Sequence, residues 1–247
     1  MNFQKYLPKF FILVFTLAGL FSCSNSGFSA GSNQSSSSGN AGTPTDSNTP
    51  TNQDPSQYTP LKWETTVKES ARWSLMIYQV LLTEEPLLIK ENVSDMATFC
   101  PQYAHLNSLQ KMNFWGQLIS AIARFESNWK PTARYLETTM GLDPVTGQQV
   151  VSEGLLQLSY QDRLNHPGVC HFDWDTDKLL SPTDAKKSIL DPFKNLECGI
   201  RILAQQIRSK NAISISSGAY WSVIKSNSSH QKINQIAAIT KELTFCR

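Results

Sequence analysis

Residues 121–131 read AIARFESNWKP and are the most informative segment of the chain. They place Glu126 at the end of an otherwise apolar helical pattern, shortly before Pro131, which limits the helix. The last turn of a helix carries a partial negative charge, and an apolar pocket disfavours a carboxylate. Both effects raise the pKa of Glu126. A carboxylic acid that stays protonated near neutral pH is the general acid that cleavage of a glycosidic bond requires.

The segment that leads to Glu126 predicts a long buried helix. Asn107 and Gln110 have the spacing of a capping box, so the helix is expected to begin near Asn107. Apolar side chains then cover most of its circumference, which is typical of a helix in the centre of a domain. These side chains are Leu109, Met112, Trp115, Leu118, Ile119, Ile122 and Phe125.

Two short β-prone runs follow within residues 132–153. They flank the turn sequence Asp143-Pro144-Val145-Thr146-Gly147 and therefore predict a β-hairpin. We expect residues 154–159 to begin the next helix and residues 160–190 to form a long polar loop. Apolar spacing predicts further helices over residues 61–82, 195–209, 218–225 and 230–244. The predicted fold class is α+β, predominantly α.

Two more motifs follow the Glu126-Ser127 pair along the chain. They are Gly154-Leu155-Leu156-Gln157 and then Asp191-Pro192 with Asn195 and Gly199. This ordered set resembles the catalytic domain of soluble lytic transglycosylases and goose-type lysozymes, over roughly residues 107–225. The resemblance implies a lysozyme-like fold with a small β-hairpin beside the catalytic helix, and it makes residues 58–247 the catalytic domain.

The resemblance also implies roles for individual positions. Glu126 is implied as the catalytic acid and base, and Gln157 as a residue beside the cleft. We group Ser127, Ser152, Gln157 and Tyr220 as candidates for substrate binding. Tyr220 keeps the place of a tyrosine in a family motif, where it is expected either to hydrogen-bond Glu126 or to be a buried core residue.

The implied reaction is cleavage of the β-1,4 bond between N-acetylmuramic acid and N-acetylglucosamine in peptidoglycan. The motif match favours a lytic transglycosylase, which uses one glutamate and leaves anhydro ends. A lysozyme-type hydrolase, acting on acetylated or deacetylated sugars, also uses a second carboxylate, for which the candidates are Glu137 and Glu153. Because side chains alternate along a strand, Glu137 faces the cleft only if Tyr135 and Thr139 do.

A third hypothesis is a non-catalytic module that binds peptidoglycan as a scaffold. It rests on Trp221, which stands where the family has an asparagine. The presence of Glu126 argues against it. In each case the expected partner is the glycan strand of peptidoglycan, and we expect a monomer.

The N-terminal sequence predicts a lipoprotein of the cell envelope. Two lysines and an apolar run are typical of a secretory signal over residues 1–22, and the run is too short for a membrane span. Leu20-Phe21-Ser22-Cys23 fits a bacterial lipobox, in which Cys23 carries the lipid; an ordinary cleaved signal is the alternative. Residues 23–57 have the composition of a flexible linker to the membrane. Ser24 favours the periplasmic face of an outer membrane.

The charge of the chain argues against one class of partner, and its cysteines predict disulfides. Removing residues 1–22 takes two lysines from a chain of formal net charge +2, and a near-neutral chain argues against a nucleic-acid partner. The four cysteines after Cys23 are expected to form disulfides in an oxidising compartment, and three pairings are possible. We expect Cys170 to pair with Cys198 and Cys100 with Cys246; one disulfide or none is the alternative.

The segment Asp173-Trp174-Asp175-Thr176-Asp177 resembles the start of a calcium-binding loop. Lys178 stands where that loop needs glycine, and Asp184 where it needs glutamate. A polar turn is therefore the preferred interpretation. The cysteines and histidines lack the spacing of a zinc site, and the sequence predicts neither a metal nor a cofactor.

Overall fold

The computed structural model describes residues 58–247. The predicted signal sequence, the lipidation site Cys23 and the linker over residues 23–57 lie outside the described residues. Between residues 58 and 247, no helix is both long enough and apolar enough to cross a membrane.

The described part of the chain contains ten regular elements, joined by short 3₁₀ turns. The helices are α1 (Ser70–Thr83), α2 (Pro86–Lys90), α3 (Met96–Phe99), α4 (Ser108–Ser127), α5 (Asp162–Asn165), α6 (Trp174–Asp177), α7 (Pro192–Lys210) and α8 (Ile233–Thr240). The strands are β1 (Arg134–Leu136) and β2 (Val151–Glu153), which form one antiparallel hairpin. The predicted class, a predominantly helical α+β domain with a small hairpin, is confirmed.

Helix α4 forms the centre of the core, and it packs against α1, α2 and α8. Its capping box is present as predicted, because Gln110 N donates to Asn107 Oδ1 at 2.9 Å and Asn107 N donates to Gln110 Oε1 at 3.1 Å. Trp115 and Leu118 are fully buried. Burial of each such side chain contributes about 1.5–3 kcal/mol to folding. This burial stabilises the packing of the helix that carries Glu126.

The chain turns sharply after α4, and this turn positions the hairpin. Asn128 and Trp129 both have positive φ, 54° and 60°, which ends the helix before Pro131 is reached. Trp129 folds back on the helix and its Nε1 donates to Ser120 O at 2.8 Å. The hairpin therefore begins directly beside the last turn of α4, as the sequence predicts.

Four predicted helices differ from the structure. Residues 154–159 form a turn, because Gly154 and Gln157 have positive φ and Leu158 N donates back to Glu153 O at 2.9 Å. Residues 61–82 divide into a 3₁₀ turn and α1. Residues 218–225 hold only the 3₁₀ turn Ser222–Ile224, and residues 230–244 contain the shorter α8. The predicted loop over 160–190 contains two helices of one turn each.

Both disulfides join the predicted partners. Cys100 bonds to Cys246, which links the segment after α3 to the C-terminal end of the chain. Cys170 bonds to Cys198, which attaches the loop after α5 to helix α7. The predicted pairing is confirmed.

Candidate active site

Glu126 lies in the last turn of α4 at the floor of an open cleft. Its Oε1 atom is buried and has no hydrogen-bond partner among residues 58–247. Burial, followed by the nearby charge of Glu137, raises the pKa of Glu126 to about 8. The carboxyl group is therefore protonated at neutral pH and available as a proton donor.

Glu137 faces Glu126 from the hairpin, one residue beyond the end of β1. Ser152, on β2, donates its hydroxyl to Glu137 Oε1 at 2.5 Å. Tyr135 and Thr139 line the cleft together with Glu137, which meets the condition that strand alternation imposes. The structure thus brings two glutamates to one cleft.

The cleft consists of two cavities that meet at the glutamates. One has a volume of about 460 Å³ and the other about 660 Å³. Glu126, Glu137, Gln157 and Ser222 line both cavities. A chain-like ligand that occupied both would therefore cross the two carboxyl groups near its middle, which is the arrangement expected for cleavage within a strand.

Asp162 is a third carboxyl group in the cleft, and the sequence interpretation missed it. It opens α5, lines the smaller cavity and is 1% exposed. Burial raises the pKa of Asp162, although hydrogen bonds from Tyr220 and Ser159 oppose that shift. The Ser159-x-x-Asp162 spacing is a local signal that could have found it, because Ser159 N donates to Asp162 Oδ2 at 2.7 Å.

Tyr220 lines the cleft, but its hydroxyl bonds to Asp162 and not to Glu126. The Tyr220 hydroxyl donates to Asp162 Oδ2 at 2.5 Å. Of the two alternatives for Tyr220, the one with a hydrogen bond to Glu126 is therefore not observed. Trp221, the residue in the place of the family's asparagine, is buried, and its Nε1 donates to Leu156 O at 2.7 Å.

Gln157 reaches the cleft from the strained turn that follows β2. It lines both cavities, has a φ of 49°, and donates its side-chain Nε2 to Gly154 O at 2.8 Å. A Cβ on Gly154 would lie 2.3 Å from Asn195 Nδ2. Glycine is therefore required at this position both by contact and by its φ of 81°.

Helix α7 supports that turn from behind. Asn195 accepts from Leu156 N at 2.8 Å and donates to Glu153 O at 3.1 Å and to Ile189 O at 3.0 Å. One helical turn later, a Cβ on Gly199 would lie 2.3 Å from Leu156 Cδ1. The Asn195 and Gly199 motif thus holds the turn that presents Gln157, and it does not line either cavity.

Glu153 does not reach the cleft, contrary to one of the two sequence candidates for a second carboxylate. It is 1% exposed, and its Oε1 accepts from Arg134 Nε at 2.7 Å and from Lys187 Nζ at 2.6 Å. Because Ser152 faces Glu137, the adjacent Glu153 side chain must point to the opposite face of the strand. It stabilises the hairpin as part of a buried ion-pair cluster.

Ser127 is also located away from the cleft. Its hydroxyl donates to Ala123 O at 3.1 Å and is buried in the helix. The predicted role of Ser127 in substrate binding is therefore wrong. Of the four candidates for substrate binding, Ser152, Gln157 and Tyr220 line the cleft.

The aspartates of the calcium-like segment have structural roles. Asp173 caps α6, accepting from Thr176 N at 3.3 Å and from the Thr176 hydroxyl at 2.7 Å. Asp177 is buried and accepts from the Tyr160 hydroxyl at 2.8 Å and from Ser188 N. Within residues 58–247, no group of three or more histidine, cysteine, aspartate or glutamate side chains is arranged to hold a metal ion.

The chain resembles known proteins at the level of solved structures. No protein-family model and no curated protein matches the chain. The solved structure of wild-type Bd0314 DslA is similar, with 28% sequence identity and a TM-score of 0.61 over 76% of this chain and 98% of that one. Two glutamate-to-glutamine mutants of Bd0314 DslA match with the same identity and TM-score, covering 97% of their own chains. The chain is thus similar to Bd0314 DslA in both sequence and fold.

Proposed function

We propose that this protein cleaves the β-1,4 glycosidic bond between N-acetylmuramic acid and N-acetylglucosamine in peptidoglycan, with Glu126 as the general acid. The observation that carries the proposal is a buried carboxyl group, with a pKa of about 8, at the junction of two cavities in an elongated cleft. Glu126 gives its proton to the glycosidic oxygen as the bond between that oxygen and the anomeric carbon breaks. An oxocarbenium-like sugar is then left beside an ionised Glu126.

The position of Glu137 favours hydrolysis as the outcome. A second carboxylate near the reacting carbon stabilises the positive charge, forms a covalent intermediate or activates a water molecule. Glu137 lines both cavities and is held by the Ser152 hydroxyl, so it is placed for one of these roles. Glu153 is not available, because its carboxylate is buried against Arg134 and Lys187.

The similar structures add independent support for a pair of glutamates. The two mutants of Bd0314 DslA replace glutamates that are eleven positions apart in that chain. Glu126 and Glu137 are also eleven positions apart in this one. The motif resemblance to lytic transglycosylases and goose-type lysozymes supports the same class of substrate.

Formation of anhydro ends is the alternative outcome. In that reaction Glu126, once ionised, takes the proton from the sugar's own 6-hydroxyl as that oxygen attacks the anomeric carbon. The neighbouring Asp162 and Tyr220 do not argue for either reaction. Mass spectrometry of the fragments released from purified sacculi distinguishes them, because an anhydro end is one water lighter than a reducing end.

Reducing ends are the expected result, and they should disappear in a Glu137→Gln variant. Anhydro ends from the parent protein would contradict hydrolysis while leaving the cleavage of peptidoglycan in place. The absence of released fragments, combined with binding to sacculi, would instead favour a non-catalytic scaffold. Sacculi with acetylated and with deacetylated glucosamine should both be used, because the proposal covers both sugars.

The N-terminal sequence supports a place for this reaction in the cell. We infer that Cys23 carries a lipid and that residues 23–57 connect it to the domain, at the periplasmic face of the outer membrane. Peptidoglycan would then lie within reach of the cleft. Incorporation of labelled palmitate in the parent but not in a Cys23→Ala variant tests the anchor.

A further inference from the structure

The two cavities of the cleft differ in charge. The smaller cavity is lined by Glu126, Glu137 and Asp162, and none of the described residues that line it is a lysine, arginine or histidine. The larger cavity shares Glu126 and Glu137 but is also lined by His230 and Lys232. The cleft therefore has an acidic end and an end with basic side chains, separated by the two glutamates.

Lys232 is held at the wall of the larger cavity without an anionic partner. Its backbone N donates to Val223 O at 2.8 Å, directly before α8, so the base of the side chain is fixed. The residue is half-buried. Within residues 58–247, no carboxylate oxygen lies within 4.0 Å of its ammonium group, whereas Lys62, Lys178 and Lys187 each have such a partner.

The other wall of the larger cavity suits a sugar. Tyr135, on β1, lines the cavity and is 61% exposed, although large aromatic rings usually bury most of their surface. Thr138 and Thr139, which follow on the hairpin, also line it and carry hydroxyl groups that can donate or accept hydrogen bonds. A sugar ring against Tyr135 would therefore occupy the same cavity as His230 and Lys232.

We propose that the end of the cleft lined by His230 and Lys232 binds a carboxylate group of the glycan substrate. The proposal rests on the proposed function and adds a specificity determinant to it. Peptidoglycan carries carboxylates on the peptides attached to muramic acid and, where the peptide has been removed, on the lactyl group itself, whereas the glucosamine residues carry none. Lys232 thus fixes which sugar enters the larger cavity and hence which of the alternating bonds lies at Glu126.

The test compares one preparation of solubilised peptidoglycan strands before and after its carboxylates are converted to neutral methylamides. The parent protein should lose about fivefold in kcat/KM on the amidated strands, mainly through KM, as expected for a partly exposed ion pair. Lys232→Met should lose about fivefold on the untreated strands and nothing further on the amidated ones. Lys232→Arg should behave like the parent, and the differences should shrink at high salt.

Lys225→Met is the matched control, because Lys225 is also half-buried and belongs to the same segment but lines neither cavity. It should match the parent on both substrates, and thermal melting of each variant checks that it is folded. If parent and Lys232→Met lose the same factor on amidation, or if amidation has no effect on the parent, the proposed carboxylate site is wrong while the proposed function stands.

If the parent releases no fragments from either preparation, the proposed function fails, and the inference is then tested by binding. The Kd of the Glu126→Gln variant for untreated and amidated strands should differ by about fivefold, and the difference should vanish when Lys232→Met is added. An equal Kd for the two preparations would contradict the carboxylate site independently of turnover.

Discussion

At the scale of single residues, the cleft uses burial to give carboxyl groups different properties. Burial raises the pKa of Glu126 to about 8. Glu137 instead accepts a hydrogen bond from Ser152, and Glu153 accepts from two cations. Three glutamates within one small region are thereby arranged for three different roles.

The pKa of Glu126 makes stability depend on pH. An ordinary value near 4.5 in the unfolded chain and about 8 in the folded chain means that the folded state binds the extra proton between these limits. The contribution is therefore fully present below pH 4.5 and is lost as the pH rises through 8, by at most about 5 kcal/mol. Glu126→Gln should become more stable than the parent as the pH increases.

Urea unfolding of both proteins at several pH values from 5 to 9 measures this effect. Glu69→Gln is the control, because Glu69 is exposed and lies far from the cleft in the chain; its difference from the parent should not change with pH. A constant difference between Glu126→Gln and the parent across this range would show that Glu126 titrates normally. The activity of the parent should also decline as the pH rises through 8.

At the scale of elements, helix α4 carries Glu126 and the hairpin region carries Glu137, while α7 fixes the turn that follows β2. Asn195 in α7 satisfies three backbone groups of the segments that it joins, namely those of Leu156, Glu153 and Ile189. Replacing Asn195 by alanine would remove all three bonds and leave Leu156 N and Ile189 O without these partners, while Glu153 O would keep its bond from Leu158 N. Each unsatisfied group costs about 1–3 kcal/mol.

We therefore expect Asn195→Ala to lower the free energy of unfolding by about 3 kcal/mol or more. Lys194→Ala is the control from the same helix, because Lys194 is exposed, and it should change stability by less than about 0.5 kcal/mol. Denaturant unfolding measures both. Equal stabilities for the two variants would mean that water replaces the three hydrogen bonds and that α7 does not hold the turn.

Many of the helices and strands could be predicted from local sequence. The start of α4 follows from its capping box, and the hairpin follows from its turn sequence. Pro131 gives only an outer limit for the end of α4, because Asn128 and Trp129 end the helix earlier. The turn over residues 154–159 could not be predicted, because its positive φ values depend on Asn195, which lies about 40 residues away. Apolar residues such as Leu155 and Leu156 satisfy a helical pattern equally well.

The candidate site was predictable to a similar degree. Glu126 and Glu137 were found from motif and strand alternation, and the same alternation shows that Ser152 and Glu153 cannot both face the cleft. Asp162 was missed although the Ser159-x-x-Asp162 spacing is a local signal for it. Lys232 was missed because no local motif connects it with Glu126, and only the fold brings both residues to one cavity.

At the scale of the whole molecule, the two disulfides close loops of very different length. Cys100 and Cys246 are 146 positions apart, whereas Cys170 and Cys198 are 28 apart. If a disulfide acts by restricting the unfolded chain, the first contributes about 5 kcal/mol and the second about 3.5 kcal/mol. The disulfide near the ends of the domain is thus expected to stabilise the fold more than the disulfide of the central loop.

Double alanine variants test this order. Removing Cys100 and Cys246 should reduce the urea midpoint more than removing Cys170 and Cys198, and neither change touches a residue that lines the cleft. Urea unfolding at one protein concentration and one pH gives both values. The reverse order would show that packing around the central loop, and not chain entropy, determines the effect of each bond.

The central claim is that Glu126 is the acid of a peptidoglycan-cleaving site, and the Glu126→Gln substitution tests it most directly. The change preserves the shape of the side chain and removes its proton donor. The measurement is the initial rate of fragment release from purified sacculi, with Glu69→Gln as the control and with binding to sacculi measured for each protein. We predict a loss of at least about 100-fold for Glu126→Gln with binding retained, since a general acid contributes that much or more. A Glu126→Gln variant that solubilises sacculi as fast as the parent would contradict the account.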